Sequence, residues 1–580
     1  MTELMQSDST RTRGLLLWYG LGAVLAIFTY FYALDGKNIP KNGDEFPYEH
    51  ITRVTAASGH WLPLQSQMPQ FRNTKPPLLF WQGIVSTDWG RNWTLWRLRY
   101  PNVLYTLLTA GLVFLVGWKL SRRLETGFVA LLTFLAFFST YRYGRPFLTD
   151  SPLIFWLWAP LAALLCWRPA LFNSPVVAPL LLGLAFGVGL LYKSFALLLP
   201  AALCLAWWYL RERGYRLKTF LKRDAGKVVI VGLLSLAVFS LWFVLDPNPR
   251  AILQEFVLKE NAGKFDAHGD GYLKTFFWGG SSIWLLVVSY PLNAGLLSFL
   301  VIGLFFVAFK RRKEMTDGEA LLWIWVITLF VVFALPSQRD ERYLLPAMPA
   351  LAVLCALNWE RIKLELFNTT LIVTGVLILG LAYLSWRLQQ NVPEMQLYPA
   401  AYWLLLVGNG VLIVLALARP RLTRAIVNVA VILALLSMAA FLRPLDGPLG
   451  SYNAEVQNYT RGRAVWVPIN FNAKEEGYRF FLPGADVHAY DFDPNLTVTD
   501  LSARYPLFAL RLPMSASATN LGGCKIIGQR VDLGSRHTGR QIWEMIRGKV
   551  FEHLFLKEVL IEAPPSTTNA VAPPGGTIQP

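Results

Sequence analysis

An acidic pair, Asp44-Glu45, shares one polar stretch with the run Lys75-Pro76-Pro77-Leu78-Leu79-Phe80-Trp81. A carboxylate so placed can take a proton from an attacking hydroxyl or hold the hydroxyls of a sugar. A lysine fixed by two prolines ahead of an apolar run can set a cation beside an anionic group, most simply a phosphate. Asp150 adds a second carboxylate in Arg145-Pro146-Phe147-Leu148-Thr149-Asp150-Ser151-Pro152. Arg142, Arg145, Lys193, Arg339 and Arg342 add cations. Each residue also has a plainer use. Asp44 and Asp150 suit helix N-caps, with Pro47 and Pro152 in the first turn, and a lysine near lipid snorkels toward headgroups. Capping and catalysis are compatible. His268, with Glu260 and Asp266 nearby, could ligate a metal, although one histidine in a polar loop is more often an ordinary loop residue.

The elements that must position these residues are membrane spans. Of 580 residues 54% are hydrophobic and 16% charged, against roughly 25% charged in soluble domains. Hydropathy predicts about thirteen spans, near 14–34, 101–120, 124–140, 151–167, 175–192, 195–210, 228–246, 282–309, 319–336, 343–358, 368–386, 399–418 and 425–442. The net charge is +17. Its basic clusters, at Lys119/Arg122/Arg123, Arg211 to Lys227, Lys310 to Lys313, Arg361/Lys363 and Arg419/Arg421/Arg424, follow even-numbered spans. The positive-inside rule then puts the N-terminus in the cytoplasm and the C-terminus outside, and the charge implies no nucleic-acid partner. The candidate residues gather on the external side, in the loop 35–100, at 141–150, at the Lys193 turn, in 247–281 and at 337–342. Cations are scarce there, so a cluster of them implies an anionic ligand.

After Leu442 the composition becomes that of a soluble domain, with strands expected at 465–467, 487–490, 508–512 and 526–533 and a helix over 542–555. We expect a transmembrane domain over 1–442, an external α/β domain over 443–563 and a disordered tail over 564–580. Cys166, Cys204 and Cys355 fall in spans and only Cys524 in the tail, which excludes a disulfide within that domain. No Walker or dinucleotide pattern occurs, so energy must arrive stored in the substrate.

Asp44-Glu45, Ser58-Gly59-His60-Trp61-Leu62-Pro63 and Asn73-Thr74-Lys75-Pro76-Pro77-Leu78-Leu79-Phe80-Trp81 resemble the first external loop of the aminoarabinose transferase and protein O-mannosyltransferase superfamily. Arg99-Tyr100-Pro101, Arg145 to Asp150, Lys193, Glu260-Asn261 and Arg342-Tyr343-Leu344-Leu345-Pro346 follow in the family's order over about 14–360. The resemblance implies an all-α polytopic membrane protein of the type C glycosyltransferase fold, in a bacterial inner membrane, with a small periplasmic α/β domain. It implies a polyprenyl-phosphate-linked sugar donor and transfer at the periplasmic face with inversion. By the same resemblance Asp44, Glu45 and Asp150 are the catalytic carboxylates. Lys75, Arg342 and Tyr343 would hold the carrier phosphate. Arg145 and Lys193 are expected to join them as further cations, with Arg99, Arg142, Glu260, Asn261 and His268 around the substrate cavity.

Two departures stand out. The family's glutamate before the lysine is Thr74, which undercuts a metal site shared with His268, and the Ser58–Pro63 stretch is one residue short. No cofactor is required by this reading, with a divalent metal at His268 the alternative. The expected acceptor is lipid A or a related glycolipid. Protein hydroxyls come next, and a lipid-linked sugar flippase is the rival from another class.

Overall fold

All thirteen apolar windows are helical in the computed structural model, which describes residues 2–39, 41–67, 72–265, 271–278, 281–469, 473–491, 496–515, 523–534 and 538–564. Nine helices among the described residues are long and apolar enough to cross a membrane. The other four windows depart from a straight span. Leu124–Ala136 and Phe138–Gly144 are bent by 63°, Asp150–Cys166 and Val177–Leu190 are short, and Met348–Leu357 follows a 3₁₀ segment, Glu341–Ala347. The bend falls at Phe137, whose backbone is extended. A Cβ on Gly295 would meet that of Phe138 at 2.4 Å, so only glycine fits there.

The chain forms two compact units, Met1–Leu34 with Ile51–Ile378 and Leu405–Ser437, and Asp35–His50 with Leu379–Leu404 and Met438–Pro580. In the first, buried polar groups fix the segments that carry the candidate residues. Asn102, fully buried, donates to the carbonyls of Pro146 and Leu148 at 2.6 and 2.7 Å and accepts from Gln82 at 2.6 Å. These bonds satisfy a backbone that has left helical geometry and set the start of the helix at Asp150. The helix Leu78–Ser86 packs closely because Gly83 has no side chain, a Cβ there standing 2.7 Å from Thr52 and 2.8 Å from Phe147. The Leu78 amide donates to the Leu191 carbonyl at 3.3 Å, tying the Lys75 run to the Lys193 turn. The Trp81 indole donates to the Trp61 carbonyl at 2.9 Å, which joins the two aromatic motifs of the loop.

The second unit holds a five-stranded sheet. Its strands are β1 (Ala464–Ile469), β2 (Asp486–Asp491), β3 (Leu507–Pro513), β4 (Lys525–Leu533) and β5 (Phe555–Glu562), in the order β2-β1-β3-β5-β4. β1 runs parallel to β2 and β3, and β5 antiparallel to β3 and β4. Four strands are where the sequence predicts them. The fifth corrects the expected helix over 542–555, which instead divides into Gly539–Ile546 and Val550–Leu554 before β5 begins. β5 lies inside the sheet between β3 and β4, and its sequence sets the charged pair Lys557-Glu558 within an apolar stretch, with no period of two to announce a strand. The expected tail beyond residue 564 lies outside the described residues.

Candidate functional site

A cavity of about 780 Å³ opens in the first unit. Its walls are apolar, from residues such as Leu153, Leu198, Phe256, Val332, Phe333 and Pro346, and its polar groups are Lys75, Lys193, Ser194, Glu260, Asn261, Lys264, Arg342 and Tyr343. Such a shape suits a lipid chain that carries a charged head.

Two carboxylates organise the cations. Asp150, buried at the first turn of its helix, receives Lys193 Nζ at 2.6 Å on one oxygen and Arg342 at 2.7 Å on the other. Glu260 Oε1 receives Lys75 Nζ at 2.8 Å and Lys264 Nζ at 3.3 Å. Glu260 stands in the last turn of a π-helical segment, Leu253–Asn261, a geometry enriched at functional sites. Burial opposes the charge of Glu260, yet Lys75 and Lys264 hold its pKa below the ordinary glutamate value. Burial lowers the pKa of Lys264 and Lys193, against the pull of Glu260 and Asp150 respectively. Four basic side chains thus share two carboxylates, a ratio that favours an anionic ligand. Basic groups so gathered can hold a phosphate through charge-assisted hydrogen bonds.

Tyr343 joins the cluster beneath Lys264, whose Nζ lies 5.9 Å from its ring. Ser194 Oγ donates to Asn261 Oδ1 at 2.8 Å, which links the Lys193 turn to the Glu260 segment. Arg342 also stacks over Tyr143 at 4.9 Å. Lys75 additionally donates to the carbonyl of Thr74 at 2.8 Å, so the position that departs from the family contributes backbone to this lysine.

The structure thus brings together Lys75, Asp150, Lys193, Glu260, Asn261, Arg342 and Tyr343. It adds Lys264, which the sequence reading passed over. The available signal was its spacing: Glu260 and Lys264 are four apart, a separation that pairs opposite charges on a helix.

Three expected residues are placed elsewhere in the same unit and do not line the cavity. Arg145 is fully buried and donates to the carbonyls of Tyr30 and Tyr32 and to the Tyr141 hydroxyl. Arg99 donates to the Leu34 carbonyl at 3.1 Å. Both therefore serve backbone carbonyls at and just beyond the end of the first helix, Thr2–Phe31, which corrects the phosphate-binding reading of Arg145 and the cavity reading of Arg99. Arg142 is exposed and lies over Tyr143 at 5.1 Å and Phe138 at 6.0 Å.

Asp44 and Glu45 belong to the second unit. Glu45 begins the helix Glu45–Ala57, is buried, and accepts from the Asn42 amide at 3.1 Å. Asn42 Oδ1 accepts from the Asp44 amide at 3.1 Å, leaving the half-buried Asp44 just ahead of the helix. In the same unit His50 Nδ1 lies 2.7 Å from Glu476, which also pairs with Arg479 at 3.1 Å. His268 and Asp266 lie outside the described residues. Among the described residues, no group of three His, Cys, Asp or Glu side chains is arranged to hold a metal ion.

Residues 21–252 match the family of dolichyl-phosphate-mannose-protein mannosyltransferases. The undecaprenyl phosphate-alpha-4-amino-4-deoxy-L-arabinose arabinosyl transferase 1 of Sodalis glossinidius is 29% identical over 358 residues, 59% of each chain. The corresponding transferase of Edwardsiella ictaluri is 30% identical over 362 residues, 60% of each. The chain thus spans about three fifths of the length of these curated relatives. The crystal structure of ArnT from Cupriavidus metallidurans bound to undecaprenyl phosphate has the same fold, with a TM-score of 0.58 at 16% identity, covering 96% of this chain and 99% of that one. Its apo state gives 0.56 at 17% identity.

Proposed function

We propose that this chain is a member of the superfamily of aminoarabinose transferases and protein O-mannosyltransferases and moves a sugar from a polyprenyl-phosphate carrier to lipid A or a related envelope glycolipid, at the periplasmic face of the inner membrane. The observation that carries this reading is the cationic cluster of Lys75, Lys193, Lys264 and Arg342 at an apolar cavity. The cavity would take the first isoprene units and the cations the phosphate.

In the donor the phosphate diester carries one negative charge. As the acceptor oxygen attacks the anomeric carbon from the opposite face, the bond from that carbon to the phosphate oxygen breaks. Its electron pair stays with the phosphate, which gains a second charge. The basic side chains of the cluster oppose that added charge, and stabilisation that grows along the reaction lowers the barrier. The carboxylate of Glu260 between Lys75 and Lys264 marks where a phosphate oxygen would sit. Attack from the opposite face inverts the anomeric centre. A hydroxyl acceptor would need a base, a role the family resemblance gives to Asp44, whereas an acceptor phosphate oxygen would need positioning alone.

The relatives' names make 4-amino-4-deoxy-L-arabinose on undecaprenyl phosphate the first donor to test. Protein hydroxyls are the second acceptor class, favoured by the family match over 21–252. The purified chain, given this donor and lipid A, should form glycosylated lipid A, and Asp44→Asn should lower turnover about 100-fold if it is the base. Wild-type turnover in a folded Asp44→Asn protein would remove Asp44 from that role. Donor movement across vesicles without product would favour the flippase instead.

A further inference from the structure

The helix Gly539–Ile546 of the second unit is amphipathic, and none of its residues is buried. Ile542, Trp543 and Ile546 present one side and are 48%, 54% and 57% exposed. Arg540 and Glu544 present another and pair at 2.9 Å, with His553 also 2.7 Å from Glu544. Thr538 and Gln541 close a capping box at its start, so the helix is a defined element. A contiguous apolar side of this kind on a soluble domain marks a surface that something covers.

What stands beside the helix identifies the cover. The Tyr383 hydroxyl donates to the Ile546 carbonyl at 3.1 Å, and Arg387 donates to the Gly548 carbonyl at 3.2 Å. Both belong to Leu364–Asn391, a helix of 28 residues that is apolar enough to cross a membrane. At about 1.5 Å per residue it is roughly 42 Å long, while a hydrocarbon core is about 30 Å. Part of it must therefore lie in the headgroup layer or beyond. The sequence agrees, because the apolar run gives way to Arg387-Leu388-Gln389-Gln390-Asn391 just after Tyr383 and Trp386. Those two aromatics are 39% and 50% exposed, the pairing expected at a membrane–water boundary. The amphipathic helix is hydrogen-bonded to a span at that level.

We infer that Gly539–Ile546 is an interfacial anchor that lays Ile542, Trp543 and Ile546 into the headgroup region of a phospholipid bilayer, level with Tyr383 and Trp386. Arg547 lies over Trp543 at 5.1 Å and sets a cation beside the apolar side, while Arg540 and Lys549 are paired with Glu544 and Glu552, an arrangement compatible with anionic headgroups. The helix fastens the α/β domain to the bilayer surface. This inference is independent of the reaction assigned to the chain.

The test uses the full chain in nanodiscs of phosphatidylethanolamine and phosphatidylglycerol containing a phospholipid with a photoreactive group near its glycerol. Adducts are expected on the peptide 541–547, and a variant with Ile542→Ser, Trp543→Ser and Ile546→Ser should reduce them several-fold while adducts on Leu364–Asn391 persist. Adducts on Leu364–Asn391 with none on 541–547 in the wild-type chain would overturn the inference, and this arm depends on no variant. A dimer in light scattering that the triple variant abolishes, again with no adducts on 541–547, would also overturn it and make the face a contact between copies.

Discussion

At the residue scale, the site depends on how carboxylates divide cations. Asp150 pairs with Lys193 through one oxygen and with Arg342 through the other, so Asp150→Asn removes the carboxylate the two cations share. A loss of about 3 kcal/mol in stability is expected, read from thermal unfolding in detergent, and Asp150→Glu should recover less than half of it because the longer chain has no room. Unchanged unfolding would show that the pairing is incidental. The lysines bring a pH dependence. Lys264 and Lys193 have pKa values lowered from 10.5 by burial, so the charged form is lost before an ordinary lysine would lose it. Affinity for undecaprenyl phosphate should decline as pH rises, with the decline complete at a lower pH than an ordinary lysine at 10.5 would set. Lys193→Arg with Lys264→Arg should remove that decline, since arginine stays charged throughout. A decline that persists in the double variant would place the titrating group elsewhere. Lys75 and Arg342 were legible in the sequence because prolines and aromatics frame them. Lys264 was not, since its value comes from Glu260 one turn earlier and from a π-helical segment that no local pattern announces.

At the element scale, supports far apart in sequence hold the site and the domain. Asn102→Ala would strand the carbonyls of Pro146 and Leu148 and the amide of Gln82, at a cost of about 2 kcal/mol. Hydrogen exchange should quicken in 145–153, ahead of any global change, and turnover should fall with it. Equal exchange in both proteins would contradict the support assigned to Asn102. In the sheet, Glu558 on β5 is fully buried and accepts from Arg530 at 2.7 Å, Arg511 at 3.2 Å, Tyr452 at 2.9 Å and Tyr478 at 2.6 Å. Burial opposes its charge, but Arg530 and Arg511 outweigh it and hold its pKa below 4.5. Its contribution is therefore present above pH 4.5 and lost only as pH falls through the lower folded value. Glu558→Gln should cost on the order of 3 kcal/mol at pH 7, seen as faster exchange in β4 and β5, with the difference from wild type narrowing below pH 4.5. A charged residue inside an apolar run is what concealed β5 from the sequence. Its partners lie in Tyr452, Tyr478, Arg511 and Arg530, which only the fold brings together.

At the scale of the whole molecule, the spans were legible because the bilayer demands about 20 apolar residues each time, a signal no tertiary contact can erase. The departures occur where helices bend or stop short: at Phe137, in the short helices Asp150–Cys166 and Val177–Leu190, and at the 3₁₀ segment before Met348; the helix at Asp150 and the 3₁₀ segment bear on the site most directly. Two of these interruptions adjoin the cavity cations, since one begins with Asp150 and the other contains Arg342 and Tyr343. The roles of Arg99 and Arg145 were illegible for the opposite reason. An arginine that caps distant carbonyls and one that binds phosphate look alike until the helix ends are in place. The central claim is that the cluster at the apolar cavity holds a carrier phosphate. Equilibrium binding of undecaprenyl phosphate to the wild-type chain and to folded Lys75→Ala and Lys264→Ala variants tests it most directly. Each lost charge-assisted bond should weaken binding about 10- to 100-fold. Affinities that match wild type in both variants would contradict the claim.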